Sequence, residues 1–501
     1  MRPRIAVRLA AAMVLTAGLT VGGFTIAPPS LAVPSTVLRK QPIAPQALLP
    51  SSARRGDLEP DGRLTSSSNA RSGTAKVCSP IWFTALGVTW RQVGGWPIEV
   101  DVSTSRDGAS FGRVRTLDAE GGPDPGTSEY LSGASASQLL WTGGGRCARI
   151  SLRLTDGASL SDIEVSFINS SGTAAGPEAT SEAAPTPAVE GALGVPAADA
   201  MTRKPRFISR RRWGANPRLL NCRPDVAPEL KMGFVHHTVT ANRYPKGKSD
   251  DIVRAIYAYH TRGQGWCDIA YNFLIDRFGR AFEGRSGGIT NPVVGAAQQG
   301  FNTGAFSVAL MGTYGRHRPP RPMVRGLRRV VAWRLDVAHI PPHGRAVMVS
   351  GGGPNTRYRK GKRVELPVIS AHRYTGYTEC PGKRVARRLP RLRDAVTAAG
   401  TPKIYRPTVS PDHRSVGGTR EPFIHATASN KLVWSVAVVD QWGAEVATFP
   451  DEVGDTLRLT WSNSGSHPLP LTPGRYEIVI TGATTGGRRA RSAFLPFGVS
   501  A

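Results

Sequence analysis

Along residues 76–170, apolar and polar positions alternate in short runs, among them IWFTALGVTW, WPIEVDVST and RCARISLRL, with Gly, Asp and Pro clusters between them. Side chains on a strand point alternately to its two faces, so a period of two predicts a small N-terminal β-sandwich here. Residues 403–501 return to the same pattern in KLVWSVAVVD, DTLRLTW and GRYEIVITG, which predicts a second β-sandwich at the C-terminus. Residues 201–402 read differently, because strand-like runs alternate with helical spacing. Ser249, Asp250 and Asp251 form a helix start, followed by Ile252, Ile256 and Tyr259 on one face. Val324, Leu327, Val331 and Leu335 make a second stripe, and Val385, Leu389, Leu392 and Val396 a third. NFLIDRFGRAFEG reads as a hairpin and FSVALMG as a buried strand. The expected class for the middle is α/β, a mixed β-sheet covered by helices and flanked by the two β-sandwich domains.

Composition fills in the stretches without periodicity. Residues 33–75 are rich in Pro, Ser, Arg and Gly and are expected to be a disordered leader. Residues 171–200 contain no Lys or Arg and read as an Ala/Pro-rich linker. The first 32 residues, with a basic start, an apolar middle and a small-residue exit at Ala32, have the layout of a cleaved secretory signal. A retained anchor is the rival reading, but the apolar run is short for a span, and no later segment is apolar enough to cross a bilayer. The mature protein is therefore expected to be secreted, with no integral membrane segment.

The net charge of +28 suits a polyanionic partner, which for an exported protein means anionic cell-wall polymers or an envelope surface. A basic balance that only maintains solubility is the plainer alternative. Nucleic acid is not expected, since the charge is accompanied by no helix-turn-helix or stacking-aromatic pattern. Of five cysteines, Cys78 and Cys147 flank the first β-region and Cys222 and Cys267 fall in the next. If these pair as two disulfides in an oxidising exterior, Cys380 is left over as a thiolate ligand or nucleophile.

Candidate chemistry gathers in the middle region. GFVHHT carries His236 and His237 at the end of an apolar run, ISAHR carries His372, and TECPG carries Cys380. Zinc takes nitrogen and sulfur donors tetrahedrally, and a catalytic site keeps one position open for water. Two imidazoles and a thiolate suit that arrangement, with Gly376, Pro381 and Gly382 letting the chain fold back between His372 and Cys380. Taken singly each has a plainer role, a hydrogen-bonded histidine or an inert core thiol. His260 reads as structural.

The ordered set RRWGA, GFVHHTVT, WCDIAYNFLIDRFGRAFEGR, GFNTGAFSVALMG and ISAHRYTGYTECPG resembles the type 2 N-acetylmuramoyl-L-alanine amidases, which include the peptidoglycan recognition proteins. The resemblance covers about 205–400 and implies an exported zinc amidase domain that cleaves the bond between N-acetylmuramic acid and L-alanine in peptidoglycan. It assigns His236, His372 and Cys380 as Zn2+ ligands, Tyr271 as the catalytic tyrosine and Thr378 as a second active-site position. Members with serine in place of the cysteine are typically binders without hydrolysis. His237, Arg285 and Asn302 are expected substrate contacts, with a structural ion pair the equal alternative for Arg285, although strand alternation turns His237 away from His236. Glu379 and Glu283 lie near motifs but read as solvated or ion-paired, so the general base is left without a candidate. Many relatives carry a histidine where GAAQQ places Ala297, and Cys222–Cys267 stands in for the disulfide of animal members. The C-terminal region resembles immunoglobulin-like accessory domains. High Arg, Ala and Gly usage fits a GC-rich bacterial genome. The competing function is a peptidoglycan-binding module without turnover.

Overall fold

A computed structural model describes residues 35–49, 58–59, 61–65, 70–94, 98–172, 202–415, 421–461 and 472–500. The expected signal segment 1–32 and residues 173–200 of the expected linker lie outside them. No helix among the described residues is long and apolar enough to cross a membrane.

The central sheet has six strands in the order Phe207–Ile208, Ala281–Glu283, Phe273–Ile275, Ala305–Leu310, Met232–His237, Ile369–Ala371. Only the Phe273–Ile275 and Ala281–Glu283 pair is antiparallel, and the remaining neighbours are parallel. Strands buried on both faces need apolar residues at nearly every position, as FSVALMG supplies. One face packs on the helix Arg321–Val337 and on Leu389–Thr397 through Val308, Leu310, Leu327, Val331, Leu389 and Val396. The opposite face meets the helix Ser249–Ala258 and the π-turn Tyr259–Gly263 that continues it. Asp250 and Asp251 stand in the first turn of that helix, where its dipole favours negative charge.

The alternating runs of residues 76–170 form a nine-stranded sheet in which Ala75–Val93 pairs with Leu140–Leu154 and with Ser159–Asn169. Cys78 and Cys147 face each other across that ladder and form a disulfide. The C-terminal runs form a seven-stranded sheet around Trp434, Trp461, Ile478 and Phe497. The expectation of a structureless leader over 33–75 fails at Val37–Pro42, which pairs antiparallel with Glu164–Asn169. The partner strand lies more than a hundred residues away, so local composition gave no sign of it. Just beyond, Leu48 is fully buried in the core of this sheet.

The first sheet does not stand apart from the central region. Ala85, Ala136, Leu139, Trp141 and Ile168 share one buried cluster with Trp213, Ile252, Ile256 and Tyr259. The Tyr259 hydroxyl donates to the carbonyls of Val88 and Ser137 at 3.1 and 2.9 Å. Gly87 is required there, because a Cβ on it would lie 2.2 Å from the Tyr259 ring. Gly87→Val is expected to lower stability by about 1–3 kcal/mol through overpacking, read as a drop in the urea midpoint.

Candidate metal centre and its surroundings

Strand register builds the site. In the parallel ladder Val235 stands opposite Ala371 and His236 opposite Ala309, so His372, one residue past its strand, arrives beside His236. Their ring centroids are 4.8 Å apart. The chain then turns back over a 3-10 turn, His372–Tyr374, and the Arg373 N–H donates to the Cys380 carbonyl at 2.8 Å. Gly376 permits that close return, since a Cβ there would meet His372 Nε2 at 2.7 Å. Cys380 Sγ ends 3.7 Å from His236 Nδ1 and accepts the His237 N–H at 3.3 Å.

The ligating atoms of His236, His372 and Cys380 lie within 4.8 Å of one another, and all three residues are buried. Zinc bonds of about 2.0–2.3 Å at tetrahedral angles separate ligand atoms by about 3.5 Å, close to the His236–Cys380 spacing. His236 Nε2 is buried without a hydrogen-bond partner. Burial also holds both imidazoles low, His236 well below its ordinary value and His372 down to about 3, so both present the neutral form that coordinates metal. Donor chemistry and spacing together fit a zinc ion.

Tyr271 precedes the strand Phe273–Ile275, and its ring centroid lies 5.6 Å from that of His236. Burial, and next the Glu120 side chain, raise its phenol well above the ordinary value. Thr378 accepts the Cys380 N–H at 3.1 Å and donates to Asp118 Oδ2 at 3.0 Å. Cys222 and Cys267 are bridged, four residues before Tyr271. His237 is not brought to this group. Strand alternation sends its ring to the opposite face of the sheet, where Nδ1 accepts the Tyr314 N–H at 3.3 Å, so it offers a substrate no contact there. Glu379 pairs with Arg373 at 3.1 Å on the surface, and Glu283 accepts the Arg210 N–H at 3.3 Å.

Sequence reasoning missed the residues that cover the site. They come from DAEGGPDPGTSEYL, residues 118–131, which connects the strands Arg115–Leu117 and Ala134–Ala136 of the first sheet. Glu120 accepts hydrogen bonds from the Tyr271 hydroxyl at 3.1 Å and from Gln264 at 2.9 Å. His260 lies 3.0 Å from the same carboxyl group, and because its Nδ1 accepts the Ala270 N–H, its Nε2 is the donor. Asp124 accepts from Asn302 Nδ2 and the Gly300 N–H, each at 2.7 Å. Glu129 is ion-paired with the buried Arg285 and accepts the Cys267 N–H at 3.0 Å. The available signal was four acidic residues without a basic one, inside a chain of net charge +28.

Residues 227–383 match the family profile described as N-acetylmuramoyl-L-alanine amidase, and that range contains His236, Tyr271, His372, Thr378 and Cys380. Residues 227–383 belong to that amidase family. A mouse relative, peptidoglycan recognition protein 4, is 27% identical over 134 residues, 27% of this chain and 34% of its own length. The human N-acetylmuramoyl-L-alanine amidase is 30% identical over 186 residues, 36% of this chain and 27% of its own. The chain thus spans about a third or less of these two relatives. Among solved structures, peptidoglycan recognition protein-LE in complex with tracheal cytotoxin aligns with a TM-score of 0.30 at 23% identity, covering 37% of this chain and 92% of that one. The acidic segment 118–131 lies outside the residues that match the amidase family.

Two outcomes follow. Zinc measured by mass spectrometry on the purified protein is expected at about one ion per molecule. His236→Ala, His372→Ala or Cys380→Ala is expected to drop that content to background while the fold, read by circular dichroism, persists. The second concerns Asp124, whose carboxyl burial pushes up from 3.8 to about 6. Between those values the folded chain holds a proton that the unfolded chain releases, so the contribution is present below about pH 4 and lost as pH rises through about 6. Unfolding midpoints of the native protein are expected to fall over that window, and Asp124→Asn to flatten the slope.

Proposed function

We propose that the chain is an exported zinc amidase that hydrolyses the bond between N-acetylmuramic acid and L-alanine in peptidoglycan. The observation that carries this reading is the buried His236, His372 and Cys380 triad with Tyr271 at its side. A zinc ion held by those three residues supplies Lewis acidity and a bound water with its pKa lowered to about 7. The chain supplies the rest.

In the proposed reaction water adds across the lactyl amide. Its oxygen bonds to the carbonyl carbon, the C–N bond breaks, and its proton leaves with the L-alanine amine. Negative charge develops on the carbonyl oxygen on the way. The raised phenol of Tyr271 stays protonated at neutral pH, so its hydroxyl is a donor for that oxygen. Thr378 fixes the Cys380 loop through the Cys380 N–H and is a positioning residue in this scheme.

Relatives named as an amidase and as a recognition protein support peptidoglycan as the partner. The charge of +28 supports additional attraction to anionic wall polymers, and the leading segment, read as a signal with its cleavage point near Ala32, supports secretion to the wall. The two flanking β-regions, read as sandwich domains, would hold the enzyme on its substrate. A second reading, recognition without turnover, is favoured by one observation: the Tyr271 hydroxyl is engaged by Glu120.

Purified protein incubated with isolated wall material separates the two. New L-alanine amino termini that disappear with a chelator and return with zinc are expected, with Tyr271→Phe slower by about 10²–10³-fold. Retention on the wall without any release would establish the binding module instead.

A further inference from the structure

Residues 118–131 run across the candidate centre and engage nearly every group that a ligand there would use. Asp118 takes the Thr378 hydroxyl and the Glu379 N–H, both at 3.0 Å. Glu120 takes Tyr271, His260 and Gln264. Asp124 takes Asn302 and the Gly300 N–H, and Glu129 takes Arg285. Backbone contacts reinforce the seat: Asn355 Nδ2 donates to the Glu120 carbonyl at 2.6 Å and Asn302 Nδ2 to the Gly122 carbonyl at 2.9 Å. Gly121 packs so closely on Ala297 that a Cβ would lie 2.2 Å from its carbonyl oxygen.

Two cavities flank the strip. One, of about 180 Å³, is lined by Asp118, Tyr377, Thr378 and Glu379, and the other, of about 240 Å³, by Gly121, Gly122, Trp266 and Gln299. Each is smaller than the roughly 300 Å³ at which small-molecule sites begin, so neither takes a sugar with its peptide while the strip is seated. The strip holds four carboxyl groups and no basic residue, which is also the chemistry of a peptide stem bearing free carboxylates. It is a turn-rich connection carrying Gly121, Gly122, Pro123, Pro125 and Gly126. Its departure breaks the Ala119–Ser137 bridge, with the Glu120 N–H bond to the Ala136 carbonyl and the Gln138 N–H bond to the Asp118 carbonyl, while Ala134–Ala136 keeps its pairing with Ala75–Val93. Burial raises the carboxyl pKa of Asp118, Asp124 and Glu129, so seating them has a desolvation cost that favours displacement.

We propose that residues 118–131 are a built-in occupant of the amidase groove, so that the chain as folded is self-blocked and becomes active when a carboxylate-bearing stem peptide displaces the strip. The inference rests on the peptidoglycan reading above.

Two variants release the strip without touching Tyr271, Thr378 or the metal triad: Gly121→Val, which adds a clash with Ala297, and Asp124→Ala combined with Glu129→Ala, which removes two anchors. Hydrogen exchange over 118–131 verifies the release. Binding is read with the free stem tetrapeptide, which has no lactyl amide to cleave, and turnover as new L-alanine amino termini from wall material. Both variants are expected to bind the tetrapeptide about tenfold more tightly and to release termini faster, because a larger share of molecules is competent. The tetrapeptide is expected to raise exchange over 118–131 in the native protein. Should Gly121→Val fail to fold, the double variant and the native exchange measurement decide the matter.

Released variants that bind no better, or that lose turnover at unchanged affinity, overturn the inference and make the strip part of the working site. Tighter binding with no termini released by any protein leaves the inference standing and removes the amidase reading. Turnover by the native protein that release of the strip does not change does the reverse.

Discussion

The parallel register of three neighbouring strands, Met232–His237 between Ala305–Leu310 and Ile369–Ala371, is the constraint on which the rest depends. Pairing Val235 with Ala371 sets His372 beside His236, and the return of the chain at Gly376 then brings in Cys380. A slip of one residue would turn His236 to the face where His237 now bonds to the Tyr314 N–H and would dismantle the triad. The register is specified strongly because both faces of the sheet are buried. Val235, Val308 and Leu310 have to meet the Arg321–Val337 helix on one side, while Ala309 and Leu274 face the other.

Electrostatics around the triad runs against the charge of the whole chain. A protein of net charge +28 brings Asp118, Glu120, Asp124 and Glu129 together over a buried site and satisfies them with Thr378, Tyr271, Asn302 and Arg285. Buried charges persist where they are paired or hydrogen-bonded, and these are. The same donors are among those the resemblance assigns to substrate and catalysis. The strip and the proposed carboxylate-bearing substrate thereby carry the same sign, opposite to the net charge of the chain.

Those features that chain-local signals encode were legible in the sequence. The helix start at Ser249 and the alternation in 76–170 announce themselves within a few residues, and they form a helix from Ser249 and strands of one nine-stranded sheet. The triad was legible because His236, His372 and Cys380 each sit inside a motif whose order along the chain is distinctive. What escaped depends on long-range pairing. Val37–Pro42 becomes a strand only because Ser159–Asn169 offers its edge, and Asp118 meets Thr378 across 260 positions of sequence. No periodicity marks such contacts. The acidic run at 118–129 was visible as a compositional oddity, but nothing local said where it would be seated.

Burial of the centre serves two ends that pull apart. Enclosure keeps His236 and His372 in the neutral, coordinating form and raises Tyr271 so that its proton is retained. A large polymeric ligand of the kind proposed above, however, cannot reach an enclosed site. The fold reconciles the two by assigning enclosure to a different layer from coordination. The candidate ligands rest on strands and their immediate turn, whereas the cover is a Gly- and Pro-rich connection of the neighbouring sheet, fixed through its carboxylates and through backbone bonds at Asp118, Glu120 and Gly122. Under the proposal above, removing the cover costs the hydrogen bonds its carboxylates accept, which an anionic peptide also offers to accept, and leaves the register of the central strands, and with it the triad, in place.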